Sequence, residues 1–184
     1  MKQGYKLYKK AKKIILGGNM LLSKRPEMTL PGVDWPNYFS QAKKHTVWDL
    51  DGKKYIDMMM FVGQNILGYA NQEVDNFVSE FSKRGNITSL NCPEEVRLAE
   101  ELISLHPWSG MAKFARSGGE ANAISIRIAR AATKRDHVAI CGYHGWHDWY
   151  LATNLNNKNG LEEHLLSGLE PNGVPKSLKN SVKP

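Results

Sequence analysis

Two short stretches of this chain set residues of a useful type at a useful spacing. The first is Phe114-Ala115-Arg116-Ser117-Gly118-Gly119-Glu120-Ala121-Asn122-Ala123, a glycine pair between the apolar run Met111–Ala115 and the helical pattern of Glu120–Thr133. Glycine lets the backbone approach an anion closely. The first amides of a helix lack internal acceptors and carry partial positive charge. Ser117 adds a hydroxyl, so Ser117, Gly118 and Gly119 form a candidate phosphate cradle. The motif matches neither the nucleotide-hydrolase loop ending in Gly-Lys-Ser/Thr nor the Gly-x-Gly-x-x-Gly dinucleotide fingerprint. The same residues also suit a tight strand-to-helix turn with no ligand.

The second stretch is Cys141-Gly142-Tyr143-His144-Gly145-Trp146-His147-Asp148-Trp149-Tyr150. It follows an apolar strand expected over Val138–Cys141, at the carboxyl end where open α/β sheets hold ligands. Tyr143 and His144, bracketed by Gly142 and Gly145, can lay a ring against a flat cofactor, whereas Trp146 and Trp149 can instead cap the core. Cys141, His144 and His147 have a spacing seen among metal ligands, with Asp148 adjacent. A strand-to-loop transition does not aim three such side chains at one point, and zinc usually takes four ligands, so no metal site is expected.

The elements that must carry these stretches are legible in the pattern. Tyr5, Tyr8, Ala11 and Ile15 recur at helical spacing among lysines, and Gly17-Gly18 ends that helix. A loop punctuated by Pro26, Pro31 and Pro36 follows. Thr46–Leu50 and Lys53–Asp57 then flank Asp51-Gly52, which reads as a hairpin with a two-residue turn. Gly63 to Gly68 reads as a loop. Asn71 can cap a helix with Val74, Phe77, Val78 and Phe81 on one face and Gly85 as its stop. Pro93 opens another, with Leu98, Leu102 and Leu105 in a row before Pro107. Strand Met111–Ala115, the glycine turn, a helix with Ala121, Ile124, Ile128 and Ala131 facing inward, and strand Val138–Cys141 make a βαβ unit, hence a parallel sheet. From Asn154 onward the chain turns polar, and no closing element is expected at Ser181-Val182-Lys183-Pro184.

The 184 residues are 41% hydrophobic, with five Trp, seven Tyr and five Phe, enough for a core, so intrinsic disorder is not expected. No apolar run reaches the roughly 18 residues of a membrane span. Two cysteines are too few for a disulfide framework and suit a reducing cytoplasm. The net charge of +7 is not spread evenly: residues 1–25 hold eight basic residues and no acid, and the remainder is nearly neutral. That basic helix suits either an anionic partner surface or a solvated face with its Tyr/Ile stripe packed on the body.

Taken together, Ser117-Gly118-Gly119-Glu120-Ala121-Asn122 and Gly142-Tyr143-His144-Gly145 resemble the class III aminotransferases that use pyridoxal 5'-phosphate, in particular their glutamate-1-semialdehyde 2,1-aminomutase-like branch. The resemblance runs over almost the whole chain: Gly17-Gly18, the hairpin Trp48–Asp57, Leu67-Gly68-Tyr69, Pro93-Glu94-Glu95 and Leu98-Ala99-Glu100 occur in the same order. It implies an α/β chain, an incomplete fold-type I pyridoxal-phosphate-dependent transferase. Residues 1–60 would be the N-terminal arm and small antiparallel hairpin region, and residues 61–184 the first half of the large, mostly parallel-sheet domain. The resemblance further implies that Ser117, Gly118 and Gly119 hold the cofactor phosphate, that Tyr143 stacks on the pyridine ring and that His144 flanks it. Gly119 stands where the family usually has threonine, keeping the backbone donor and losing a hydroxyl. Gln64 and Asn65 would lie near the substrate entrance, and Arg25 matches a region that holds a substrate carboxylate.

This chemistry also needs a lysine forming a Schiff base with the cofactor and an acid pairing with its pyridinium nitrogen. The resemblance puts both downstream of Pro184, so no catalytic residue is assigned in this chain, which looks like the N-terminal part only. The expected activity, belonging to the full-length protein, is transamination or amino-group migration on a small amino or keto compound. That protein would be a cytoplasmic homodimer with no nucleic-acid or membrane partner. Two other readings compete: a catalytically silent truncated product, and a basic protein whose residues 1–25 meet nucleic acid or an acidic surface.

Overall fold

In a computed structural model of the protein, which describes residues 2–29, 31–32, 35–85, 87–155 and 170–184, the chain forms two compact units, Met1–Leu90 and Asn91–Pro184.

The first unit opens with helix α1, Gln3–Ile14, followed by a 3-10 turn, Leu16–Gly18. Gly4, Tyr8 and Ala11 are its buried residues, whereas Tyr5 and Ile15 from the expected stripe are exposed. The inward face is therefore rotated from the one expected. The physical reason is local: the Tyr8 hydroxyl donates to the Glu27 carboxylate at 3.1 Å, and Lys12 Nζ pairs with the same group at 2.8 Å. Lys12 holds the Glu27 carboxyl below its ordinary range, while burial and then Glu27 push the Tyr8 phenol up. One lysine of the basic segment is thus committed to an internal contact. Glu27 sits in the short helix α2, Pro26–Thr29.

Three antiparallel strands follow, in the order β1-β2-β3: Phe39–Lys43, Thr46–Asp49 and Lys54–Ile56. The β2–β3 hairpin is the expected one, but its loop is longer than two residues. Gly52 N–H donates to Asp49 O, and Asp49 N–H to Lys53 O, which leaves Leu50, Asp51 and Gly52 in the loop with Gly52 at φ 81°. Asp49 explains the extra residue. Its Oδ1 accepts from the amides of Asp51 and Lys53 at 3.0 and 2.8 Å, and its Oδ2 from the Tyr55 hydroxyl at 3.0 Å. Burial opposes the charge on Asp49, yet these three donors outweigh it and keep its carboxyl below the ordinary value.

Strand β1 was not expected. It pairs Lys43 with Thr46 across a tight Lys44-His45 turn in which Lys44 takes φ 53°. That conformation normally selects Gly or Asn, so the sequence gives no turn signal. Lys44 is held instead by reciprocal 2.7 Å backbone hydrogen bonds with Tyr69. These bonds, and the Tyr69 hydroxyl on Asp57, tie residues 57–69 to the sheet. The first compact unit runs on to Leu90.

Helix α3, Gln72–Ser82, starts at Asn71, whose side chain accepts from the Glu73 and Val74 amides at 3.1 and 3.2 Å. It ends before Gly85, which has positive φ. Its aligned Val74, Phe77 and Val78 remain exposed.

The second unit starts with helix α4, Pro93–Leu105, with Pro93 in its first turn. Residues Met111–Ala115 join no ladder among the described residues, so the expected strand there is not formed. Helix α5 spans Gly118–Thr133, strand β4 is only Val138–Ala139, and helix α6 is Asp148–Leu151. The parallel partner of β4 is strand β5, Val182–Lys183, in register Val138↔Val182. The C-terminal residues thus do close a sheet, contrary to expectation, and Val182 is fully buried.

The core of this unit joins Trp149, Tyr150, Leu151, Ala152, Val174 and Val182, with Ala123, Ile126, Val138, Ile140, Leu155 and Leu178 packed on it. Helix α5 therefore presents Ala123 and Ile126 to the core, not Ala121, Ile124, Ile128 and Ala131; Ile128 is 58% exposed. Its sequence is apolar on two faces, and periodicity alone does not choose between them.

Candidate functional site

The glycine turn is the start of α5. Ser117 caps the helix: its Oγ accepts from the Glu120 amide at 3.3 Å, while Glu120 Oε2 accepts from the amides of Arg116 and Ser117 at 2.9 and 3.1 Å. This reciprocal capping box satisfies the amides just outside the helix. The amides of Gly118 and Gly119, at the first two helical positions, have no intrahelical acceptor. The Ser117 hydroxyl, accepting through one lone pair, keeps its proton to donate. A Cβ built on Gly118 would meet nothing within 4 Å, so the space on that side of the helix start is open.

The Gly142–Gly145 loop lies against this turn. Asn122 Nδ2, one helical turn on from Gly118, donates to the His144 carbonyl at 3.2 Å. A Cβ on Gly145 would stand 3.4 Å from the Gly119 Cα, so the loop and the helix start are in van der Waals contact. The core anchors the loop from below, where the Tyr150 hydroxyl donates to the Gly142 carbonyl at 3.2 Å. Burial raises the Tyr150 phenol above its ordinary value, keeping it a neutral donor.

Tyr143 is 51% exposed, with its ring centroid 6.0 Å from that of Tyr150 at an edge-on 86°. The His144 ring is half-buried between Trp149 (6.3 Å) and Tyr150 (5.9 Å). His147 takes a different place, stacked on Trp146 at 5.1 Å with its ring against Gly119. Trp149 belongs to the core, whereas Trp146 is 67% exposed. Cys141 is exposed, and no group of three or more metal-ligating side chains occurs among the described residues.

The structure thus brings Ser117, Gly118, Gly119, Tyr143 and His144 together in the second unit. Arg25, Gln64 and Asn65 belong to the first unit. Arg25 packs its guanidinium over Gly17. Gln64 is exposed. Asn65 braces its own turn, its amide nitrogen donating to Gly68 O at 3.0 Å and its oxygen accepting from Tyr69 N–H at 3.3 Å. Just before it, Met60, Phe61 and Val62 have positive φ, as does Gly63, a strained left-handed turn.

Sequence reasoning overlooked Asn122, Tyr150 and the placement of His147. Asn122 was identifiable as a polar residue on the Gly118/Gly119 face of the helix. Tyr150 looks apolar until the Gly142 carbonyl beneath it is known.

The family model of class-III aminotransferases matches residues 32–172. Over 144 residues the chain is 36% identical to the 3-aminobutyryl-CoA aminotransferase of Cloacimonas acidaminovorans, covering 78% of this chain and 34% of that protein. Over 175 residues it is 35% identical to the glutamate-1-semialdehyde 2,1-aminomutase of Desulfovibrio desulfuricans, covering 94% of this chain and 39% of that protein. Among solved structures, the Sphingopyxis sp. MTA144 FumI protein in its PLP internal aldimine form superposes with a TM-score of 0.71 at 28% identity, over 79% of this chain and 35% of that one. The chain spans between a third and two fifths of the length of these relatives.

Proposed function

The chain belongs to the class-III aminotransferase family, and from that premise we propose that its second unit forms the phosphate cup and one ring-covering wall of a pyridoxal-phosphate-dependent enzyme. That enzyme would be an aminotransferase or aminomutase acting on a small amino or keto compound, working as a cytoplasmic homodimer. The observation that carries this is the contact between the start of α5 and the Gly142–Gly145 loop, fixed by Asn122 on the His144 carbonyl.

The residues present fit a phosphate monoester. The Gly118 and Gly119 amides lack intrahelical acceptors, the space a Gly118 Cβ would enter is open, and His147 Nδ1 is a buried polar atom without a hydrogen-bond partner beside Gly119. When bound, pyridoxal phosphate supplies an electron sink for the charge left on a substrate carbon that loses a proton. This chain's residues bind and orient. The amides of Gly118 and Gly119 and the Ser117 hydroxyl take the dianionic phosphate through charge-assisted hydrogen bonds. Tyr143, steadied edge-on by Tyr150, offers its exposed face to the flat ring, and His144 stands beside it. The Glu120 carboxylate, held by the Arg116 and Ser117 amides, keeps the helix start rigid. These residues are assigned no covalent step.

The test uses pyridoxine 5'-phosphate, which carries ring and phosphate without the aldehyde that reacts with surface lysines. The chain should bind it, Gly118→Val should weaken binding at least tenfold by filling the open space beside Gly118, and pyridoxine should bind the two proteins alike. Equal affinity of Gly118→Val and the parent chain for pyridoxine 5'-phosphate would overturn the cup.

A further inference from the structure

The His147 side chain stands against the start of α5, outside the three donors assigned to the cup. Its ring occupies the volume that a side chain at position 119 would fill. A Cβ built on Gly119 would lie 2.5 Å from His147 Nδ1 and closer still to Cε1. Position 119 is glycine because the imidazole takes its space. The Nδ1 atom is buried and has no hydrogen-bond partner among the described residues, which is costly for an imidazole nitrogen unless a partner arrives.

The direction of that volume says which partner. On a helix the Cα–Cβ bond tilts toward the N-terminus, so the space a residue-119 side chain would occupy faces the same end as the unpaired amides of Gly118 and Gly119. An atom placed there looks onto whatever those amides hold. We propose that His147 is the fourth donor of the phosphate cup, its Nδ1–H supplying from the loop the side-chain hydrogen bond that a glycine at position 119 cannot give.

This rests on the phosphate-cup reading above and deepens it. The chemical class recognised is a phosphate monoester, and His147 acts as a binding residue with no part in proton transfer at the substrate. The Trp146 ring stacked on the imidazole and the backbone bonds from Tyr150 and Leu151 to the His147 carbonyl at 2.9 and 3.1 Å fix the ring where it stands. Because Nδ1 is buried as the structure stands, a phosphate held at Gly118 and Gly119 reaches it when the loop eases slightly away from the helix start.

The experiment titrates the full chain and its variants with pyridoxine 5'-phosphate and, separately, with pyridoxine, while circular dichroism checks the fold. A charge-assisted hydrogen bond is worth about a tenfold change in affinity. His147→Ala should lose about that factor toward the phosphorylated probe and nothing toward pyridoxine. His147→Asn, whose amide nitrogen can stand close to the position of Nδ1, should recover most of it. Gly119→Thr should fail to bind in the parent, where the imidazole blocks it. In the His147→Ala background it should be accommodated and should restore affinity through its hydroxyl. If Gly118→Val abolishes binding while His147→Ala does not change it, the cup stands and this inference falls. If the parent chain binds neither probe, both fall. If His147→Asn binds no better than His147→Ala, the donor role is refuted.

Discussion

Asn122 ties the start of α5 to the aromatic loop through a side-chain hydrogen bond, and replacing it by leucine isolates that tie. The substitution keeps the γ-branched shape and somewhat favours the helix, but removes the Nδ2 donor that reaches the His144 carbonyl at 3.2 Å. Losing a neutral, half-buried hydrogen bond costs about 1 kcal/mol, and stranding the carbonyl can bring the total to roughly 2 kcal/mol. For a chain of this size that lowers the unfolding midpoint by about 4–8 °C. Binding suffers separately. The loop that carries Tyr143, His144 and His147 loses its register on the helix, so affinity for pyridoxine 5'-phosphate should drop about fivefold or more, corresponding to about 1 kcal/mol of lost preorganisation. Thermal unfolding followed by circular dichroism measures the first effect and a fluorescence titration the second. An Asn122→Leu protein that melts with the parent and binds the probe equally well would refute the tie.

Two further consequences follow from packing and charge. Val182 is fully buried and pairs in parallel register with Val138, so Val182→Ala should cost about 2 kcal/mol through lost burial and a residual cavity; an unchanged midpoint in urea would show that β5 does not close the second unit. Burial, and then Asp57, push the Tyr69 phenol up to about 12 from an ordinary value of 10.0. The folded state therefore holds this proton more tightly than the unfolded chain does. The resulting stability is complete below pH 10 and is lost as pH climbs from 10 toward 12. The difference in unfolding free energy between the parent and Tyr69→Phe should shrink across that window, and a difference independent of pH would contradict the assignment.

How much the sequence revealed depends on whether a signal is local. Helices α3 and α4 announce themselves through Asn71, Gly85 and Pro93, because a cap or a helix-compatible proline acts within a few residues of itself. The β2–β3 hairpin is legible from Asp51-Gly52, although only the hydrogen bonds of Asp49 reveal that its loop holds a third residue. Strand β1 is hidden because Lys44 adopts positive φ without being glycine or asparagine and is stabilised by Tyr69, a partner distant in sequence. Strand β5 is hidden because a two-residue valine-lysine pair carries no periodicity; only the buried environment around Val182 makes it a strand. For α5, two apolar faces compete, and tertiary packing on Tyr150 and Val182 decides between them.

The candidate site divides the same way. The Ser117-Gly118-Gly119 turn is readable because glycine and a capping hydroxyl are local necessities of a helix start. The contribution of His147 is not readable, because it depends on which volume a loop side chain fills. Its spacing from Cys141 and His144 pointed only to metal ligation. Gly119 held the clue in reverse: a missing side chain beside a helix start marks a place that something else occupies.

The most direct test of the phosphate cup is an amide-resolved NMR titration of the chain with pyridoxine 5'-phosphate and, in parallel, with inorganic phosphate. Both ligands should move the Gly118 and Gly119 amide resonances most, and only the first should also move those of Gly142–Gly145 around Tyr143. Perturbations that instead gather on the lysine-rich face of α1, leaving Gly118 and Gly119 in place, would contradict the account.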